Sequence, residues 1–106
     1  EATAEKLAMG FYLDGKATAV VGTHTHVQTA DEKVLPGGTA YITDLGMTGP
    51  ELSVLGVRPE ASISWLKTGL PTRFEISDGA CKMCGVIIDV DEKTGKSRSI
   101  ERICVR

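Results

Sequence analysis

Ala4, Leu7, Ala8 and Phe11 recur at the spacing of one helical face, so the first stretch predicts an amphipathic helix. Asp14-Gly15 ends it. Residues 17–21 are a short apolar run, β-branched at Thr18, Val20 and Val21. They read as a strand buried on both faces, of the kind found in the parallel part of an α/β sheet. Residues 22–29 carry no charge and no long apolar run, and so form a polar loop leaving that strand. Pro36-Gly37-Gly38 predicts a turn and residues 39–43 a second strand, followed by a loop, 44–50, broken by Gly46, Gly49 and Pro50.

Arg58-Pro59-Glu60 opens a second helix, because proline suits the first helical position and glutamate the first turn. Ile63, Leu66 and Leu70 mark its apolar face, Trp65 lies beside it, and Gly69 is its expected C-cap. The remainder is strand-like. Residues 73–76 alternate, Asp78-Gly79 signals a hairpin, 86–90 and 99–105 are strands, and 91–96 is a polar turn. These three strands predict an antiparallel meander. The fold class is therefore α/β with a C-terminal antiparallel β-meander.

With 106 residues there is room for one domain, 1–106, and no linker or internal repeat divides it. Twelve Lys+Arg against fourteen Asp+Glu give a net charge of −2, which excludes a dedicated nucleic-acid binder. The longest uncharged stretch, 17–30, is too polar to span a bilayer, so no membrane association is expected. Three cysteines and no export signal predict a reduced, cytoplasmic protein.

Both histidines of the chain fall in His24-Thr25-His26. In an extended backbone residues i and i+2 point the same way, so the pair can ligate one metal or hold one metal each of a close pair. Two imidazoles do not complete a site, since zinc alone takes about four ligands. Alternatively they are simply polar loop residues, or one is a satisfied structural histidine. A buried strand before the pair, Gly22 allowing a close backbone approach, and small uncharged flanks favour the metal reading. Asp44, also at a strand end, is the best nearby carboxylate, or equally a turn aspartate. Cys81-Lys82-Met83-Cys84 lacks the second pair of a structural zinc site and is read as incidental thiols.

Gly22-Thr23-His24-Thr25-His26 resembles the G-H-x-H signature of the calcineurin-like metallophosphoesterases, with one extra residue after the glycine. The longer string AVVGTHTHVQTADEKVLPGGTAYITDLGMTGP, residues 19–50, closely resembles the YmdB-type subfamily, bacterial phosphodiesterases of cyclic nucleotides. The similarity runs from Glu1 to about Arg102. It implies the C-terminal part of a metallophosphoesterase αββα sandwich, with two iron or manganese ions at the sheet edge. His24 and His26 would supply one metal ligand each, in a metal-assisted hydrolysis of a phosphoester such as a cyclic nucleotide. The family's other ligands, from its G-D and G-N-H motifs and one more histidine, have no match here. The chain opens on Glu1 without methionine, which suggests a start inside a larger catalytic domain, just after a ligand, and a fragment inactive alone. A chain lacking such strands would expose sheet edges, so a homo-oligomer is expected. The alternative is a free-standing, non-catalytic α/β module derived from the enzyme and used for interaction or oligomerisation.

Overall fold

The computed structural model describes residues 2–106; Glu1, on which the expected start inside a larger domain was read, lies outside them. The described chain falls into two compact units, one running to Gly46 and including Cys84–Cys104, the other comprising Met47–Met83 and Val105–Arg106.

In the first unit, helix α1 (Thr3–Leu13) leads into strand β1 (Ala19–Val21). β2 (Lys33–Val34) and β3 (Ala40–Ile42) follow, and the sheet order is β1-β3-β2. β1 and β3 are parallel, with Ala19 opposite Ala40 and Val21 opposite Ile42, while β2 runs antiparallel to β3. The expected parallel strand is therefore present, but its burial is not as expected. β1 lies at the sheet edge and Val21 is 44% exposed, whereas all three residues of central β3 are buried. The core is Leu35, Ala40, Tyr41 and Ile42, closed by the buried polar residues Thr39, Thr43, Asp44 and Ser97. Thr39 satisfies itself by donating to the Ala17 carbonyl (2.6 Å) and accepting from the Gly15 N–H. Buried polar groups need such partners.

The inward face of α1 also differs from the apolar spacing. Ala4, Ala8 and Phe11 are exposed, and Leu7 alone of the four is half-buried. Gly10 is the buried residue of the helix, and a Cβ there would stand 2.7 Å from the Tyr41 ring. The missing side chain lets the helix lie directly on that ring, which turns the Lys6–Gly10–Leu13 side inward.

β5 (Cys81–Val90) and β6 (Ser97–Val105) are hydrogen-bonded neighbours joined by the turn at Asp91–Lys96 (Asp91 N–H to Lys96 carbonyl, 2.8 Å). Ser97 ties this turn back, its hydroxyl donating to the Thr18 carbonyl and its N–H to that of Gly38.

In the second unit β4 (Gly49–Pro50) pairs antiparallel with Cys81 and Lys82, the first residues of β5. The C-terminal antiparallel pairing is thus present, but its third strand is β4, in the expected loop. Residues 73–76 form no strand. Their backbone is taken by 56–58, through Arg58 N–H to Glu75 carbonyl, Ser77 N–H to Gly56 carbonyl and a bridge between Val57 and Ile76. Helix α2 (Pro59–Thr68) starts at its proline and ends at Gly69, in the left-handed conformation (φ 66°), as expected of that C-cap. The residues marking its apolar face, Ile63, Leu66 and Leu70, are all more than half exposed. Trp65 meets Phe74 edge-on at 6.0 Å. Among the described residues no helix is long and apolar enough to cross a membrane.

Candidate metal-ligand loop

Because β1 and β3 are parallel, the loops after Val21 and after Ile42 leave the sheet at the same edge. That edge, outside the carboxyl ends of parallel strands, is where α/β sheets hold ligands. Gly22 brings the two loops together. Its N–H donates to the Ile42 carbonyl and its own carbonyl accepts from Leu45. A Cβ at position 22 would stand 1.9 Å from the Thr43 carbonyl oxygen, so the close approach read from the sequence is made against a backbone carbonyl.

The backbone of the histidine segment is bent, not extended. His24 has φ 107° and His26 φ 65°, both in the region that side chains rarely adopt. The extended-strand geometry expected for the pair is therefore replaced by a tight turn. Such dihedrals cost on the order of 1–3 kcal/mol each and persist where surrounding contacts over-determine them. Both histidines are exposed.

The contacts that hold the turn converge on Asp44, which is fully buried. Its Oδ2 accepts both the N–H and the hydroxyl of Thr25, each at 2.7 Å, and its Oδ1 accepts the Gly46 N–H at 2.9 Å. Lys6 of α1 lies 3.7 Å from Oδ2 and donates to the carbonyls of Thr23 and Thr43. Burial disfavours the charged form of Asp44, but the Thr25 hydroxyl, the Gly46 and Thr25 N–H groups and the Lys6 charge outweigh it. The carboxyl is held below the usual carboxylate range. With both oxygens engaged by the chain itself, Asp44 is an anchor of the loop. The alternative of a nearby ligating carboxylate is not what the structure builds.

Two further groups fasten the loop's far end. Gln28 Nε2 faces the carbonyls of Gly85 (2.9 Å), Leu45 and Ile103. Asp31 takes the Thr29 hydroxyl (2.7 Å), the Thr43 hydroxyl and the Thr43 N–H. Burial raises its pKa, but these donors more than offset it and the net shift is downward.

Sequence reasoning found the histidines, Gly22 and Asp44 but missed Lys6, Thr25 and Gln28. Lys6 reads locally as a solvated helix charge, and nothing near it in the chain signals its partners. Thr25 carried a weak signal as the hydroxyl between the two imidazoles. Among the described residues no group of three or more His, Cys, Asp or Glu is gathered to hold a metal. Cys81 and Cys84 lie within β5, Cys81 exposed and Cys84 with its Sγ 3.9 Å from that of Cys104, and no disulfide joins them.

A family model described as YmdB-like protein matches residues 1–103. The chain is 58% identical over 105 residues to a 2',3'-cyclic-nucleotide 2'-phosphodiesterase of Bacillus subtilis, covering 99% of this chain and 40% of that protein. A crystal structure of a novel phosphatase from Mycoplasma pneumoniae superposes with TM-score 0.92 at 43% identity, covering 99% of this chain and 38% of that one. A hypothetical protein from Thermus thermophilus gives TM-score 0.89 at 40% identity, covering 98% and 40%. The mixed α/β fold expected from the sequence is thus the fold of part of a solved phosphatase. The chain spans about two-fifths of the length of these relatives.

Proposed function

Because this chain belongs to the YmdB-like protein family, we propose that it is part of a two-metal phosphodiesterase acting on phosphoesters, cyclic nucleotides in particular. In this reading His24 and His26 are metal ligands, one to each of two iron or manganese ions. The observation that carries it is the loop itself: two exposed imidazoles at the carboxyl edge of a parallel strand pair, on a backbone held at positive φ. Strain of that kind is kept where function needs a set geometry. The name of the Bacillus subtilis relative supports the substrate class.

The donor chemistry fits in part. Imidazole suits iron, whereas manganese favours oxygen ligands, and two nitrogens leave most coordination positions of two ions to other groups. When bound, the metals supply positive charge that stabilises developing negative charge on the phosphoryl oxygens. The chain's own share is to bind and to orient: Asp44 and Lys6 fix the turn, and the histidines present nitrogen to the edge.

Equilibrium dialysis of the 106-residue chain against manganese tests the reading. Weak, reversible binding reduced in each of His24→Ala and His26→Ala and lost in the double variant is expected, with little hydrolysis of a 2',3'-cyclic nucleotide. Binding unchanged in the two variants would refute the ligand assignment. Brisk turnover abolished by His24→Ala would refute the inactivity of the isolated chain.

Self-association belongs to the same proposal. β1 is an edge strand of its sheet, and edges with unpaired backbone groups recruit partners. Light scattering is expected to give more than one chain per particle, and a strictly monomeric species would count against it.

A further inference from the structure

We propose that Lys6 and Asp44 are positioning residues for the two histidines, gripping the turn between them through Thr25 so that both imidazoles are set before any metal arrives. The proposal rests on the reading of His24 and His26 as ligands.

His24 and His26 both occupy the left-handed side of backbone space, and the residues around them are small and polar. Locally the Thr25 hydroxyl lies 3.3 Å from the Val27 carbonyl and accepts the Val27 N–H at 3.4 Å; the shorter bonds come from far along the chain. Asp44 takes two hydrogen bonds from Thr25, the one residue between the histidines, with its N–H and its hydroxyl converging on the same oxygen. Lys6 takes the carbonyl of Thr23, the residue before His24. The segment is thus clamped immediately before His24 and between the two histidines, by one acid and one base that also face each other at 3.7 Å.

The chemistry of the clamp is specific. A carboxylate only accepts, so it can gather the two Thr25 donors, the Gly46 N–H and the ammonium at once. An amide in its place has one accepting oxygen and two donors, and its nitrogen would meet Thr25 or Gly46 donor to donor. Lys6 carries three N–H donors for three oxygens: the Thr23 carbonyl, the Thr43 carbonyl and the Asp44 carboxylate. Its side chain is only 14% exposed and that of Asp44 is not exposed at all, so neither charge can be traded for water. Both act through the loop, in the way that hydrogen-bond partners behind metal ligands set ligand orientation.

Zinc titration of the folded chain, followed by the imidazole carbon–proton signals of His24 and His26 in NMR spectra, tests this well below each variant's melting temperature. In wild type both imidazoles should respond together. Asp44→Asn and Lys6→Met should each need about 10-fold more zinc, the lower end of what loss of such a partner costs, and their two imidazoles should respond at different concentrations. Thr25→Val, an exposed site that leaves the Lys6–Asp44 pair intact, should also weaken binding, and it keeps the test open if the buried variants do not fold. Zinc responses within twofold of wild type in the folded variants would overturn the positioning role. A His24→Ala, His26→Ala double variant that still binds zinc like wild type would instead refute the ligand reading beneath it.

Discussion

Replacing Gly22 by alanine should be among the most damaging single-methyl additions this chain can receive. An added Cβ would stand 1.9 Å from the Thr43 carbonyl oxygen and 2.9 Å from its carbon, and real Cβ atoms do not come closer than about 3 Å to such atoms. The obstacle is backbone, so no rotamer change relieves it. The β1 and β3 exits must separate by more than about 1 Å. The two hydrogen bonds that join them, Gly22 N–H to Ile42 carbonyl and Leu45 N–H to Gly22 carbonyl, would stretch past their useful range. At about 1 kcal/mol net for each bond and about 1–3 kcal/mol for overpacking, the loss comes to roughly 3–5 kcal/mol. A domain of this size melts about 4–8 °C lower per kcal/mol, so a fall of more than about 12 °C is expected. Circular dichroism melts of Gly22→Ala beside Gly79→Ala read this directly. Position 79 has nothing within 4 Å of its built Cβ, and its variant should melt within a few degrees of wild type. A Gly22→Ala melting temperature within about 3 °C of wild type would refute the reasoning, because the strand exits would then be free to part without cost.

The carboxylates at the loop lead to a pH dependence. Asp31 and Asp44 both have folded pKa values below their unfolded ones, so their contribution is present above the unfolded value of about 4 and is lost as pH falls through the folded values. Urea midpoints should be level from about pH 7 to 5 and drop below about pH 4, with a shallower drop in Asp31→Asn; a midpoint at pH 3 equal to that at pH 7 would contradict this. Gln28→Ala should cost about 1–3 kcal/mol, because it strips the donor from the Gly85 carbonyl and its neighbours, and a chemical denaturation midpoint unchanged within error would refute the anchor. Ser97→Ala removes a buried hydroxyl that donates to the Thr18 carbonyl at 2.7 Å; a loss of about 1 kcal/mol is expected, and a gain in melting temperature would speak against it.

Much of the fold was legible because it is locally written. The proline that opens α2 and the glycine that closes it act through their own φ preferences, and both ends fall where expected. The β-branched run before Gly22 does produce a parallel strand. What failed was the choice of face and of partner. α1 turned away from its apolar stripe because Gly10 could lie on the Tyr41 ring, a contact no periodicity records. Residues 73–76 alternate as a strand should, yet their hydrogen bonds went to 56–58, while β2 and β4, at two residues each, are too short to leave a pattern.

The candidate site divides in the same way. The sequence alone determined the candidate ligand types and their location: two histidines one residue apart, after a strand, behind a glycine that admits a close approach. Only the tertiary structure decided how they are held. Thr25 meets Asp44 across 19 residues and Lys6 meets the Thr43 carbonyl across 37, and those contacts hold His24 and His26 at positive φ. The physical reason is that a residue's conformational preference acts within a turn or two of chain. Which donor finds which buried acceptor depends on the packing that brings distant segments to one sheet edge.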